Sequence, residues 1–364
     1  MNDLVDRLVE LAIQIQQIPA PTFREEKRAE FIHELFAREP LHDICIDEAG
    51  NVLARFPGMG ESRPLIVSAH MDTVFPFETD LSIKRGPGLI HGPGLGDNSM
   101  GVAALFGLLW SLCERQIPLR GDVWFVANVC EEGLGDLRGM KAVVDRFGAD
   151  VHAYLVLEGL ALGHVYHRAV GVKRYRVNVR TGGGHSWSDY GQPSAVHELA
   201  RLVVGLTSLS LPAHPRTTMN VGKISGGTSV NVIASEASLD LDLRSEGREA
   251  LAELVAVVEK LIRHANRPGV SVEADVIGQR PAGDLSAGHP LVLLGKDCLR
   301  EQGLEAGLIS GSTDANVPLS KGYPAIVLGV TTGGSAHTVQ EYINTAPIAK
   351  GMEQLVNFVS RVWT

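Results

Sequence analysis

The sequence predicts an α/β layer protein interrupted by a smaller βαββαβ unit, and three observations carry that prediction. Over residues 1–170, short apolar runs alternate with stretches of helical periodicity, the pattern of strands and helices stacked in layers. Over residues 171–278 the order becomes strand, helix, strand, strand, helix, strand, which is the split unit of ferredoxin-like folds. Over residues 279–364 the first pattern resumes. The expected organisation is a discontinuous larger domain, 1–170 with 279–364, and an inserted domain, 171–278. A chain of 364 residues suits two domains of ordinary size.

The elements follow in order. Leu4, Leu8, Leu11 and Ile15 fall at helical spacing behind a cap at Asn2 or Asp3, and Pro19 and Pro21 close that helix. Thr22 and Glu25 have the spacing of a capping box for a second helix reaching about Arg38. Residues 44–48 and 51–56 read as a hairpin about Ala49, Gly50 and Asn51. Residues 65–69 form a short buried strand, followed by His70 and Asp72. Residues 99–115 are apolar all round, so that helix is buried. Strands at 122–129 and 153–157 end in Cys130-Glu131-Glu132-Gly133 and in Glu158-Gly159. In the inserted unit, strands are expected at 172–181, 217–225, 230–244 and 270–277, with helices at 193–208 and 247–265. A helix at 289–302, a strand at 325–330 and a helix at 346–361 complete the chain.

Bulk properties exclude several functions. Hydrophobic residues make up 45% and charged residues 21%, enough for a full core, and the net charge is −9 with no basic cluster. Nucleic acid and anionic membranes both need a Lys/Arg footprint, so neither is an expected partner. Cys45, Cys113, Cys130 and Cys298 are scattered with no CxxC, which reads as reduced thiols of a cytoplasmic protein. The first residues lack a basic and then apolar leader, so no signal peptide is expected. No apolar run approaches the ~18 residues of a membrane helix.

Five side chains stand where two metal ions would want them: His70, Asp97, Glu132, Glu158 and His337. Most lie at or just past the carboxyl ends of strand-like runs, where layered α/β sheets bind ligands. Asp97 follows the turn Gly92-Pro93-Gly94-Leu95-Gly96 at a helix start and can bridge two cations. No lysine follows those glycines as a phosphate-binding loop requires. His70 with Glu158 on one ion, and Glu132 with His337 on the other, give two similar sites. Mixed N/O donors without thiolate suit two Zn²⁺, with Co²⁺ or Mn²⁺ as alternatives. Three carboxylates against two divalent cations leave a charge of about +1, which a bound hydroxide neutralises.

Helpers stand beside the ligands. Asp72 lies two residues past His70 in extended chain and can bond its far ring nitrogen. Glu131 diverges from Glu132 and can face the reacting water. Two cations ~3.5–4 Å apart activate that water and polarise a carbonyl. Glu131 would take its proton and pass it to a leaving amine. His185, in Gly182-Gly183-Gly184-His185-Ser186 of the inserted unit, can donate to an oxyanion when that unit closes. Competing motifs fail: there is no GxSxG, and His33-Glu34 and His197-Glu198 lack a second His four residues on, where Ala37 and Arg201 stand.

The stretches SAHMDTV (68–74), GPGLGDN (92–98), CEEG (130–133), LVLEG (155–159), GGGHSW (182–187), GGTSVNVIA (226–234), DLDLR (240–244), SGSTDAN (310–316) and AHT around His337 span nearly the whole chain. In type and order they resemble the co-catalytic zinc peptidase family that contains glutamate carboxypeptidase, acetylornithine deacetylase, succinyl-diaminopimelate desuccinylase, aminoacylase and tripeptidase. The resemblance implies a three-layer di-zinc catalytic domain with an inserted lid that forms a homodimer. It implies the five ligands above, Asp72 orienting His70, Glu131 as general base, and His185 reaching the partner subunit's active site. It also implies that Asn231 and Arg244 hold the substrate's carboxylate end and that Thr313 touches substrate. Arg244 suits that part independently, because its guanidinium is a planar bidentate donor.

The function these features imply is hydrolysis of an amide bond in a short peptide or N-acyl amino acid. In the family, Glu at position 158 accompanies removal of an acyl group or C-terminal residue, and Asp accompanies aminopeptidase or dipeptidase action. The stretches IPAPTFREEKRAEFI (18–32) and SGSTDAN look tripeptidase-like instead. A tripeptidase-like aminopeptidase is thus the alternative, and a non-catalytic binding protein that retains the fold stands as a reading from a different class.

Overall fold

A computed structural model describes residues 2–364 of the chain. The chain divides into two compact units, residues 1–169 with 284–364 and residues 170–283. The division therefore falls at 169/170 and 283/284, where the sequence pattern had suggested 170/171 and 278/279. The strand Val270–Arg280 continues past the expected end at 277 and carries the second boundary outward.

The larger unit is built on a mixed sheet. Its central strands Val123–Asn128, Leu65–His70, Ala153–Glu158 and Ala325–Gly329 are neighbours in that order and run parallel. Their carboxyl ends are level, since His70 pairs with Asn128 and Glu158 with Gly329. Successive residues of each strand feed opposite faces. Leu65, Val67, Leu155 and Leu157 join one core with the helix Met100–Glu114, while Ile66, Tyr154 and Val156 join another with the helix Arg138–Phe147. Burial on both faces explains why these strands read as unbroken apolar runs. It also makes three layers, helix on sheet on helix. The hairpin His42–Ile46 with Val52–Phe56 extends one side of the sheet antiparallel.

Three expectations need correction. The first helix runs Asn2–Gln16 with Asp3 inside its first turn, so Asp3 is no cap; the side chain of Asn2 lies outside the described residues. The second helix runs Glu26–Phe36, and its cap position, Glu25, makes no side-chain capping bond. Thr22 and Glu25 do not form a capping box, because both side chains are drawn to tertiary partners described below. The strand expected at 230–244 is two elements, Val232–Ile233 and Glu236–Ser245, the first paired with Gly184–His185. The strands His164–Ala169 and Gly307–Gly311 lacked the buried pattern that marks a central strand, being partly exposed.

The smaller unit is a four-stranded antiparallel sheet in the order Thr217–Gly226, Glu236–Ser245, Gly171–Thr181, Val270–Arg280. The helices Ala195–Thr207 and Arg248–Ala265 pack Leu199, Leu202, Leu254 and Val258 onto Tyr175, Val177 and Val179 of the sheet. Among the described residues, no helix is long and apolar enough to cross a membrane.

Candidate metal centre

Within the larger unit, five segments deliver the candidate ligands to one place. His70 and Glu158 are the last residues of adjacent parallel strands. After the strand Val123–Asn128 the chain turns at Cys130, whose φ is +58°, and presents Glu131 and Glu132. Asp97 comes from the glycine turn before the helix Met100–Glu114, and His337 from a loop in which its own φ is +65°.

Asp97 stands between the two histidines. Its Oδ1 lies 3.1 Å from His70 Nε2 and its Oδ2 lies 3.0 Å from His337 Nε2. Glu158 Oε2 is 3.8 Å from His70 Nε2, and Glu132 Oε1 is 3.0 Å from His337 Nε2. Two triads result, His70–Asp97–Glu158 and Asp97–Glu132–His337, each with ligand atoms within 4.8 Å of one another. Glu131 groups in the same way with His70 and Glu132. His70, Glu131 and Glu132 are buried, whereas His337 is exposed.

The donor set fits two divalent cations. The buried Oε1 of Glu132 accepts a hydrogen bond from none of the described residues, although His337 Nε2 lies 3.0 Å away. The single Nε2 of His337 is shared with Asp97 Oδ2 at the same distance, and a buried carboxylate oxygen that is not fully satisfied is costly unless a cation completes it. Carboxylate and imidazole lone pairs aimed at common points, with no thiolate among them, are the ligands of Zn²⁺ and similar ions.

The charges are strongly coupled. Contacts with Asp97 and Glu132 push His337 up to about 10. Burial works against charge on His70, yet Asp72 and Asp97 outweigh it and raise its pKa well above the ordinary value. Burial likewise pushes Asp97 up, but His337 and His70 hold it well below the usual carboxylate range. Glu158 is raised well above that range, first by burial and then by the charges of Asp97, Glu131 and Asp314. Divalent cations invert this balance, since imidazoles must give up protons to bind them and carboxylates stay charged beside them.

A second set of residues holds the ligands' backbone. Asp72, expected to orient His70, makes its closer contacts with backbone amides. The ring Nδ1 of His70 lies 3.1 Å from the Asp72 backbone oxygen and 3.4 Å from its Oδ1. The carboxylate's shorter contacts go elsewhere. Oδ1 accepts the N–H of Glu131, and Oδ2 accepts the N–H of Glu132 and the hydroxyl of Thr22, each at 2.9 Å. Glu25 Oε1 accepts the N–H of Cys130 at 3.0 Å. Three consecutive amides of the glutamate turn are thus held by two buried carboxylates.

The glycine turn is held in the same manner by Glu341. Its Oε1 accepts the N–H of Gly96 at 2.7 Å and of Asp97 at 3.0 Å, and its Oε2 accepts the N–H of Gly94 at 3.1 Å. The amides that a phosphate would need are already satisfied by an internal carboxylate. Burial pushes Glu341 up to about 7, against the pull of those amides. Asn98 ties the turn to the next strand, its Nδ2 donating to the Leu157 oxygen at 2.8 Å and its Oδ1 accepting the Gly159 N–H at 2.9 Å. Sequence reading missed Thr22, Glu25, Asn98 and Glu341 in these parts. For Glu341 the available signal was a carboxylate four residues after a ligand histidine, in a segment with no strand or helix pattern.

The remaining candidates make local contacts within their own units. Thr313 belongs to the same unit but serves a turn, its Oγ1 accepting the Ala315 N–H at 3.2 Å. His185, Asn231 and Arg244 belong to the other unit. His185 is exposed, and its Nδ1 accepts the N–H of Trp187 at 3.2 Å. Asn231 Oδ1 accepts from Ser229 Oγ at 2.8 Å, and Arg244 Nε donates to Asp242 Oδ2 at 2.7 Å.

Known proteins are similar to this chain in sequence and fold. The profile of peptidase family M20/M25/M40 matches residues 66–361, which include every candidate ligand. The uncharacterized protein YqjE of Bacillus subtilis is 23% identical over 97% of each chain. A tripeptidase of Staphylococcus aureus has the same fold, with a TM-score of 0.84 at 23% identity over 98% of each chain. So has the aminopeptidase PepT of Bacillus cereus, with a TM-score of 0.81 at 23% identity over 99% of each chain. With a family match over most of its length and a carboxylate–histidine cluster of dinuclear form, the chain belongs to peptidase family M20/M25/M40 and is a hydrolase of peptide or other linear amide bonds.

Proposed function

We propose that the chain hydrolyses the amide bond of a short peptide or N-acyl amino acid at a centre of two zinc ions, for which cobalt or manganese can substitute. The observation that carries this reading is Asp97, whose two oxygens face His70 and His337 at 3.1 and 3.0 Å. Divalent cations held there supply Lewis acidity, activating water and polarising the scissile carbonyl. Glu131 accepts the water's proton and returns it to the leaving amine. Asp72 fixes the peptide that carries Glu131, so the base needs no reorganisation at the moment of proton transfer. The near-complete burial of Glu131 and Glu132 keeps bulk water from competing.

For the remaining residues we propose substrate roles. His185 donates to the developing oxyanion. Arg244 and Asn231 hold the substrate's carboxylate, the guanidinium through its two terminal NH₂ groups. Thr313 contacts substrate from its turn. The outer strand Thr217–Gly226 leaves an open sheet edge in the smaller unit with Ile224 exposed, and such edges pair with a second copy. A homodimer through this unit is therefore part of the proposal. Four free cysteines suit a cytoplasmic location.

A tripeptidase-like aminopeptidase remains the second reading, favoured by residues 18–32 and 310–316 and by likeness of fold to the tripeptidase and PepT. Glu158 favours the first. A panel of di- and tripeptides against N-acetyl, N-succinyl and N-carbamoyl amino acids separates the two. Glu131→Ala should lose turnover by several orders of magnitude while keeping both metals. Full activity in that variant removes Glu131 as the base.

A further inference from the structure

The turn that bears Asp97 is fixed in part by its neighbours, since Ser99 Oγ donates to the Gly94 oxygen at 2.7 Å and Asn98 bonds the next strand. Gly94 has φ +69°, and a side chain there would meet Thr73 Cγ2 at 2.9 Å. A side chain at residue 96 would meet Leu160 Cδ2 at 2.5 Å. The backbone at Gly94 requires glycine, and at Gly96 a larger residue would have to displace Leu160; glycine gives the turn no side chain with which to fix itself. Asp97 and Asn98 have non-helical φ/ψ, so the following helix does not dictate their conformation either.

One residue, Glu341, takes up four of the turn's amides. The backbone oxygen of Glu341 accepts the Gly92 N–H at 2.9 Å, and its carboxylate accepts the N–H groups of Gly94, Gly96 and Asp97. Four amides within six residues converge on it. The Glu341 side chain is fully buried, as is the neighbouring Asn98. Glu341 also belongs to the loop that carries His337, joined to it by a turn in which the Glu341 N–H donates to the Thr338 oxygen at 3.1 Å. A single loop thus provides a ligand of one triad and braces the ligand that both triads share.

We propose that Glu341 is the positioning residue for Asp97, setting the backbone so that one aspartate oxygen faces each histidine. The proposal rests on the two-cation reading of the centre. It follows from leverage: Asp97 has a short side chain, and a rotation of its backbone that favours His70 moves Oδ2 away from His337. Loss of the brace should therefore weaken both cation sites together. A ligand-support residue of this kind typically affects metal affinity by about 10–100-fold.

The test is made on the metal-free chain, without substrate. Co²⁺ is titrated against a chromophoric chelator, and the visible spectrum of the cobalt protein is recorded. Glu341→Ala is expected to bind both ions about 10–100-fold more weakly, with an altered cobalt spectrum. Glu341→Gln keeps one oxygen for Gly96 and Asp97 but turns a donor toward the Gly94 N–H, so its loss should be smaller. Gln340→Ala, at the exposed neighbouring position, should match the parent protein. Wild-type affinities and spectrum in both Glu341 variants overturn the proposal. If the alanine variant does not fold, the glutamine variant decides: weaker binding supports the proposal, and unchanged binding overturns it. A parent chain that binds no cobalt overturns the metal centre itself, a different outcome from one in which only the Glu341 variants behave as wild type.

Discussion

Asp72 Oδ1 accepts the backbone N–H of Glu131 at 2.9 Å, while Oδ2 accepts that of Glu132 at the same distance. The aspartate beside one proposed ligand, His70, thus sets the peptide that carries both the proposed base and a second proposed ligand, Glu132. Asp72→Asn keeps one oxygen acceptor but points an NH₂ at an N–H that has no other outlet. Turnover should fall by about 10–100-fold, with KM changed far less, because substrate binding does not use this bond. Steady-state kinetics check it; a rise in KM at unchanged kcat would place Asp72 in substrate binding instead.

Gly159 is the second prediction. A Cβ there would lie 2.0 Å from the Gly96 oxygen, so the strand ending in Glu158 and the turn bearing Asp97 touch backbone to backbone. Gly159→Ala must push the two apart. The expected cost is about 1–3 kcal/mol of stability, together with weaker binding of the ion held by His70, Asp97 and Glu158. Urea unfolding and metal titration measure the two effects. Wild-type values for both would mean that the contact carries no constraint.

How much of this was legible in the sequence depends on where each residue finds its partner. His70 and Glu158 could be placed because the runs before them are buried on both faces of the sheet, and a strand-end polar residue after such a run is conspicuous. Thr22 and Glu25 misled because their spacing is that of a local cap. Their actual partners, Asp72 and Cys130, lie far along the chain, and a pattern confined to four residues carries no information about them. The contact expected between the Asp72 carboxylate and His70 proved the longer one at 3.4 Å, since amides of another strand end compete for the same oxygens. Glu341 sits in an irregular loop, where neither helical nor strand periodicity singles a residue out. The fold of the smaller unit was legible in order, and the break before Glu236 was not, because the short pairing of Val232–Ile233 with Gly184–His185 depends on a tertiary bend.

The smaller unit should be sensitive to acid. Glu198, nearly buried, accepts from Arg267 at 2.6 Å and also from Arg201. The Arg267 contact, with Arg201 assisting, holds its pKa below the ordinary 4.5. A depressed carboxylate contributes stability that is fully present above its unfolded pKa and is lost as pH falls through the folded value. Glu198→Gln should therefore melt a few degrees below the parent at pH 7, since a pair with half-exposed arginines is worth about 1 kcal/mol or less. As pH falls through the folded value of Glu198, the two curves should converge. A gap independent of pH would assign the effect to packing.

The central claim is that His70, Asp97, Glu132, Glu158 and His337 together hold two divalent cations. The most direct measurement is zinc bound per chain after the metal-free protein is equilibrated with Zn²⁺ and freed of excess. The account predicts two per chain, and a much weaker second ion when Asp97→Ala removes the shared ligand. A parent protein that retains no zinc, or an Asp97→Ala variant that retains two as tightly, would contradict it.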